Sequence, residues 1–190
     1  MHVALTRMNV RSFTDQAVCR ESVRQLLQAA MAAHSAGDER PWHFVVIEDL
    51  ATRERFAEIH PYAHMVPQAP VAILVCGDLT LQKLSGFWVQ DCAAATENIL
   101  IEAQSMGIGA VWLGIYPVEG RVQSFRKLLD LPPHVVPFAL TPVGYPAEQN
   151  GLKCRYDESR VHFDRWGSVQ VDTSTGSLGN TGLELQPRGQ

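Results

Sequence analysis

The stretch GFWVQDCAAATENILIEAQSMGIGAVWLGI, Gly86 to Ile115, decides how the rest of the chain is read. Phe87, Trp88, Val89, Cys92, Ala93, Ala94, Ala95, Ile99, Leu100, Ile101, Ala103 and Met106 cover most of the circumference of a helix of about five or six turns. Asp91, Asn98, Glu102 and Ser105 follow at steps of seven, four and three residues, so they fall on one narrow polar stripe. A helix apolar on its other sides requires burial on those sides. Met106-Gly107 is its expected end, because a residue without Cβ takes the left-handed conformation that closes a helix. Gly109 to Ile115 then reads as a strand buried on both faces, too short for a second helix and too apolar for a surface loop.

Towards the N-terminus, Val71 to Cys76, bounded by Pro70 and Gly77, reads as another doubly buried strand. Leu50 to Ile59 reads as a charged surface helix, His43 to Glu48 as a strand, and His34 to Trp42 as a loop dense in small, polar and proline residues. Val23, Leu26, Leu27, Ala30 and Ala33 repeat on one face of a helix over 20–33. Residues 1–13 read as a short helical turn and then an extended piece. Towards the C-terminus, Arg121 to Leu131 is an amphipathic helix stopped by Pro132-Pro133. Val135 to Val143 is a last core strand, in which Pro137 and Pro142 predict an edge position or a bend. From Gly167 the sequence turns polar, which divides the chain into one domain over 1–166 and a tail over 167–190. Alternating helices and strands predict a sheet covered by helices, and periodicity alone favours a parallel one.

The chain has 190 residues, 46 % hydrophobic and 19 % charged, with a net charge of −4. These values fit one globular domain and give no electrostatic footprint for nucleic acid. No apolar run has the length of a signal peptide or a membrane span, and the four cysteines show no C-x-x-C spacing, so the expected location is cytoplasmic, away from membranes. No G-x-G-x-x-G occurs; nicotinamide, if used, binds transiently rather than in a Rossmann site.

Few residues point to chemistry by spacing alone. Arg7 and Arg11, and Lys153 and Arg155, are cation pairs that could grip a phosphate, although solvated surface cations are the simpler reading. His60 and His64 have a metal-ligand spacing, but Pro61 ends the helix between them and no metal is expected. Glu119-Gly120 opens a helix, where an acid suits the dipole and backbone N–H groups stay open to a ligand. Trp42 and Trp112 read as core aromatics. No local motif supplies a Ser/His/Asp or Cys/His nucleophile.

Several stretches together resemble the nitroreductase family of FMN-dependent flavoproteins, over about Arg7 to Trp166. Arg7-Met8-Asn9-Val10-Arg11-Ser12-Phe13 is similar to that family's Arg-Arg-Ser-x-Arg-x-Phe motif. His34-Ser35-Ala36-Gly37-Asp38-Glu39-Arg40-Pro41-Trp42-His43-Phe44 is similar to Pro-Ser-x-x-Asn-x-Gln-Pro-Trp-x-Phe. The central helix with its Gly-x-Gly-x-x-Trp ending, Pro117-Val118-Glu119-Gly120, Gly144-Tyr145-Pro146 and Lys153-Cys154-Arg155 complete the set in the right order.

The resemblance implies an α+β fold: a mixed, mainly antiparallel sheet surrounded by helices, in an intertwined homodimer with two FMN sites at its interface. It implies that Arg7, Met8, Asn9 and Arg11 hold the FMN phosphate with Lys153 and Arg155. Ser35, Ala36 and Asp38 would come from the other subunit, and Leu113, Gly114, Glu119 and Gly120 would line the flavin ring. The implied activity is an oxidoreductase that uses NADH or NADPH to reduce an electron-poor small molecule, a nitroaromatic, quinone or similar, by a ping-pong mechanism. FMN carries the chemistry, so no side chain is expected to be catalytic. A flavin-binding dimer with little turnover, and a dehalogenating or flavin-fragmenting branch of the family, stay open as alternatives. The chain departs from the motifs at Met8-Asn9, where the family has Arg-Ser, at Asp38 in place of Asn, and at Arg40 in place of Gln.

Overall fold

The structure is a computed structural model that describes residues 3–148 and 155–168. Residues Met1–Leu152 form one compact unit and Lys153–Gln190 a second. In the first, β1 (Trp42–Ile47), β2 (Val71–Asp78) and β5 (Val135–Gly144) run side by side, with β3 (Gly109–Ala110) and β4 (Leu113–Gly114) on the far edge of β5. Every pairing between these strands is antiparallel, which overturns the parallel sheet that periodicity favours and agrees with the resemblance. Alternating helix and strand does not fix strand direction. All eight residues of β2 and all ten of β5 are buried, as expected of strands covered on both faces.

The helices are α1 (Val3–Thr6), α2 (Arg20–Met31), α3 (Leu50–Ile59), α4 (Trp88–Ser105) and α5 (Glu119–Leu128). α4 is the helix expected from the central stretch, and Gly107 after it has φ +69, the left-handed closure its sequence predicts. α4 packs against β1, β2, β3 and β5 and, on another side, against α2. Its polar stripe lies against α2: Asn98 Nδ2 donates to Ala29 O at 2.9 Å, and Gln25 Nε2 donates to Glu102 Oε1 at 2.6 Å. α5 starts two residues before the expected Arg121 and ends three before Leu131. It packs on β5, and its Phe125 stacks on Phe56 of α3 with ring centroids 4.9 Å apart.

The prolines of β5 do not place it at an edge, since it pairs on both sides. Pro142 instead interrupts its outer neighbour. One register relates β3 and β4 to β5 and puts Val111 opposite Pro142, which has no N–H to give the ladder; the single strand expected over Gly109 to Ile115 is thereby split in two. Pro137 acts on the other side. The pairing with β2 slips between Val75 and Cys76, where Cys76 faces Pro137 and Phe138 is the extra residue of a bulge. The Phe138 carbonyl then accepts from both Ile115 N and Tyr116 N at 3.0 Å, which fixes the turn that follows β4. Cys76 and Cys92 are buried free thiols, and burial pushes the Cys76 thiol up to about 12.

In the second unit a 3-10 turn over Glu158–Arg160 is capped by Asp157, which accepts from Ser159 N. Residues 169–190, most of the expected polar tail, lie outside the described residues.

Candidate active site

Three separate segments of the first unit carry all but two of the residues expected to bind a flavin, and each is attached to α4. The first is 7–13. Val10 N donates to the Ala110 carbonyl at 3.0 Å, Asn9 bridges to Ala110 and Phe13 to Pro146, so this segment lies as a short extra strand beside the sheet. Gly109 permits that approach: a Cβ there would stand 2.7 Å from three side-chain carbons of Val10. Arg7 is mostly buried, with Nε 3.0 Å from Glu97 Oε1 of α4 and Nη1 donating to Asn9 Oδ1 at 2.9 Å. Met8 is half-buried beside it. Asn9, Val10, Arg11, Ser12 and Glu148 line an open cavity of about 230 Å³. Arg11 is exposed at its wall, and donors outnumber the single carboxylate there, a donor set suited to an anion.

The second segment is 34–40, built around a 3-10 turn over Ala36–Asp38. Gly37, Asp38 and Arg40 all have positive φ, at 56, 52 and 45, a conformation that costs L-residues free energy and so needs anchors. The anchors are side chains. Ser35 Oγ accepts from Arg40 N at 3.1 Å, and Asp91 Oδ1 of α4 accepts from Ala36 N at 3.0 Å. Glu39 is buried and its Oε2 accepts from Lys83 N and Leu84 N at 2.7 and 3.0 Å. Asp38 and Arg40 form an exposed two-point ion pair at 2.7 and 3.0 Å, and the Arg40 guanidinium holds the Asp38 carboxyl below the usual carboxylate range. Ser35, Ala36, Phe87, Gln90 and Asp91 line a shallow groove of about 370 Å³ between this loop and α4.

The third segment is 113–121. Leu113 is buried, while a Cβ at Gly114 or Gly120 would meet nothing within 4 Å, so open space adjoins the backbone at both glycines. Glu119 and Gly120 are exposed in the first turn of α5, and Glu119 accepts from Gln123 Nε2. Trp88 of α4 meets Tyr116 edge-on, with centroids 4.8 Å apart, and Phe138 at 6.1 Å. Trp42 is buried and Trp112 packs on Phe138, both as core aromatics.

The sequence does not reveal what holds this turn. His60 Nε2 and Arg121 Nη1 both lie 2.9 Å from the Gly114 carbonyl, and Tyr62 N donates to His60 Nδ1. These partners fix the neutral tautomer with its proton on Nε2. Burial first, and the Arg121 charge as well, push the His60 pKa down. Hence one of the two histidines at metal-ligand spacing is a buried structural histidine, while His64 is exposed. Glu39 and the reach of Asp91 were also hidden, because their partners lie far away in the chain. Lys153 lies outside the described residues, and Arg155 is exposed in the second unit.

Along α4, Trp88, Asp91 and Glu97 thus serve the third, second and first segments, within about 14 Å of helix axis at about 1.5 Å per residue. The family profile described as "Nitroreductase family" matches residues 4–64 and 59–145. The chain belongs to the nitroreductase family. It is 49 % identical over 161 residues to the "Putative NADH dehydrogenase/NAD(P)H nitroreductase" of Methanothermobacter thermautotrophicus, covering 85 % of this chain and 84 % of that one. The crystal structure of a protein of the same name from Parabacteroides distasonis superimposes with a TM-score of 0.84 at 40 % identity, covering 86 % of this chain and 96 % of that one. A crystal structure of "a putative nitroreductase in complex with fmn" from Desulfovibrio desulfuricans gives a TM-score of 0.72 at 32 % identity, covering 82 % and 90 % of the two chains. The nitroreductase fold therefore accounts for the antiparallel sheet and the helices around it.

Proposed function

We propose that this nitroreductase-family chain is an FMN-dependent oxidoreductase that takes reducing equivalents from NADH or NADPH and passes them to an electron-poor small molecule. The observation that carries the reading is the attachment of all three segments to one helix, with an anion-suited cavity at one and open backbone beside aromatic walls at another. Bound FMN would supply the hydride chemistry, accepting from the nicotinamide and giving to the acceptor. The residues of this chain bind and orient. Arg7, Asn9, Arg11 and Ser12 suit the phosphate, with the backbone at Met8 alongside, and Leu113, Gly114, Glu119 and Gly120 suit the ring. The paired donors on the Gly114 carbonyl keep that peptide in one orientation.

Ser35, Ala36 and Asp38 act from the second subunit of a homodimer in this reading. Phe87, Leu81, Leu84, Tyr116 and Val118 are exposed large hydrophobics on or next to the proposed site, and Val89, Ala93 and Ile101 of α4 are only half-buried, as a chain with a partner requires. Nicotinamide and acceptor take turns, giving ping-pong kinetics. The test is anaerobic. NADH or NADPH added to the purified flavoprotein without acceptor should bleach the flavin absorbance, and a nitroaromatic or quinone added after the nicotinamide is removed should restore it. An unchanged spectrum in excess of both nicotinamides would contradict the proposal.

A further inference from the structure

Glu39 and Asp91 meet inside the protein with relative exposures of 6 % and 5 %. One oxygen of each is committed to backbone, Glu39 Oε2 to Lys83 N and Leu84 N, and Asp91 Oδ1 to Ala36 N. The other oxygens, Glu39 Oε1 and Asp91 Oδ2, are buried and have no donor. Ala36 brings the two side chains together, since its N–H donates to Asp91 Oδ1 while its carbonyl accepts from Glu39 N at 3.1 Å, and each carboxylate shifts the other's pKa. Two acceptor-only carboxylates brought together and removed from water repel and leave both oxygens unsatisfied; one proton between them removes both penalties.

We propose that Glu39 and Asp91 share a single proton and form a latch that positions the 35–40 loop and the 79–87 segment against α4. Asp91 is the member that carries the proton. Burial and then the neighbouring Glu39 raise its pKa, whereas for Glu39 burial is outweighed by the Leu84 and Lys83 N–H donors and by Asp91, and its pKa is lowered. The other charged or titratable groups around the pair are Lys83, whose ammonium bonds the Gly37 and Asp38 carbonyls, the exposed Asp38–Arg40 pair, and His34 on the wall of the groove. The rest of this turn of α4 supplies only Trp88, Val89, Gln90 and Cys92.

The latch joins three elements that nothing in the local sequence holds together. It carries Ser35, Ala36 and Asp38 on one side and the exposed Leu81, Leu84 and Phe87 on the other. As pH rises through the raised pKa of Asp91, the shared proton is lost, the two carboxylates repel, and the segments loosen. Glu39 and Asp91 are therefore positioning residues. That the latch serves flavin binding rests on the function proposed above; the latch itself does not.

The test is hydrogen exchange at the Lys83 and Leu84 amides of the full chain across pH, expressed as protection relative to an unfolded peptide. Wild-type protection should fall by about tenfold on the alkaline side, equivalent to one unit of pKa difference between latched and open forms. Protection at Ile73 and Leu74 of β2 should not change. Glu39→Gln and Asp91→Asn, whose amides donate where the shared proton did, should give flat profiles, and Glu39→Ala should be unprotected throughout. A flat wild-type profile, or Asp91→Asn as unprotected as Glu39→Ala, overturns the latch. Infrared spectra of the wild type need no variant: a carboxylic-acid carbonyl band should persist above the pH at which ordinary carboxylates ionise, and its absence overturns the latch as well. FMN affinity should fall with the same step in the wild type and not in Glu39→Gln. A latch profile with unchanged affinity overturns only the link to flavin.

Discussion

The segment 7–13 and the loop 34–40 carry matched expectations, yet they are held in opposite ways. Residues 7–13 are fixed through the backbone, by the bridge from Asn9 to Ala110, the bond from Val10 N and the bridge from Phe13 to Pro146. Arg11 stays exposed on this segment, while Arg7 is tied to Glu97 and Asn9. The loop has no strand partner and three positive φ values, and it is fixed by side chains: Ser35, Glu39, Asp91 and the Asp38–Arg40 pair. The first region is intolerant of added volume and adds one ion pair, Arg7–Glu97, to its backbone bonds; the second depends chiefly on charged and polar side chains. Motif departures follow the same division, since Asp38 and Arg40 depart together and pair with each other.

The largest effect should come from Arg11, the side chain of the backbone-held segment proposed to meet the phosphate. Arg11→Ala should weaken FMN binding by about 1.5–3 kcal/mol, the range for a hydrogen bond to a charged group, without lowering thermal stability. Flavin fluorescence titration measures it, and equal affinities would remove this cavity from the site. Added volume should break the same segment by another route. Gly109→Ala sets a Cβ against Val10, whose branched side chain cannot swing away, and overpacking of this kind costs about 1–3 kcal/mol in denaturant unfolding.

The Gly114 turn is held by a histidine side chain as well as by backbone. His60 is lowered in the folded protein, so the unfolded chain binds the extra proton more readily. Stability should be full above the ordinary imidazole pKa and decline as pH falls through it towards the lowered folded value. His60→Gln, which still donates to the Gly114 carbonyl, should flatten that acid limb; an unchanged limb would assign it elsewhere. The smallest effect belongs to the exposed ion pair. Asp38→Asn should raise the flavin potential and Arg40→Gln lower it, both slightly, since each charge faces its partner and water. Redox titration decides, and a large shift in either would put the pair closer to the ring than this account does.

The sequence disclosed what repeats and what punctuates. Leu50–Ile59 is a helix with the bounds its pattern predicts, and the apolar circumference of the central stretch became α4. Strand direction was legible only through resemblance, because alternation of elements is the same in parallel and antiparallel sheets. Pro137 and Pro142 were legible as disturbances but not as to which neighbour they disturb; the missing N–H groups act across the sheet, on Val111 and at the Phe138 bulge. At the site, Arg7, Asn9 and Arg11 stood out as a motif. Glu39 and Arg121 did not, and His60 stood out only by its spacing from His64 and not for its bond to Gly114, because each acts through a partner that only folding brings near. Asp91 lay in between, visible as a polar stripe on an apolar helix but without its partners.

In the proposed dimer one flavin is held by the 7–13 segment of one subunit and the 34–40 loop of its partner. Co-expressed subunits test it directly, one carrying Arg7→Ala with Arg11→Ala, the other carrying Ser35→Ala with Asp38→Ala. A hybrid dimer should regain one site of wild-type affinity, because its two intact halves face each other. If every site in the hybrid stays as weak as in the parent variants, both segments serve the same subunit and the claim is contradicted.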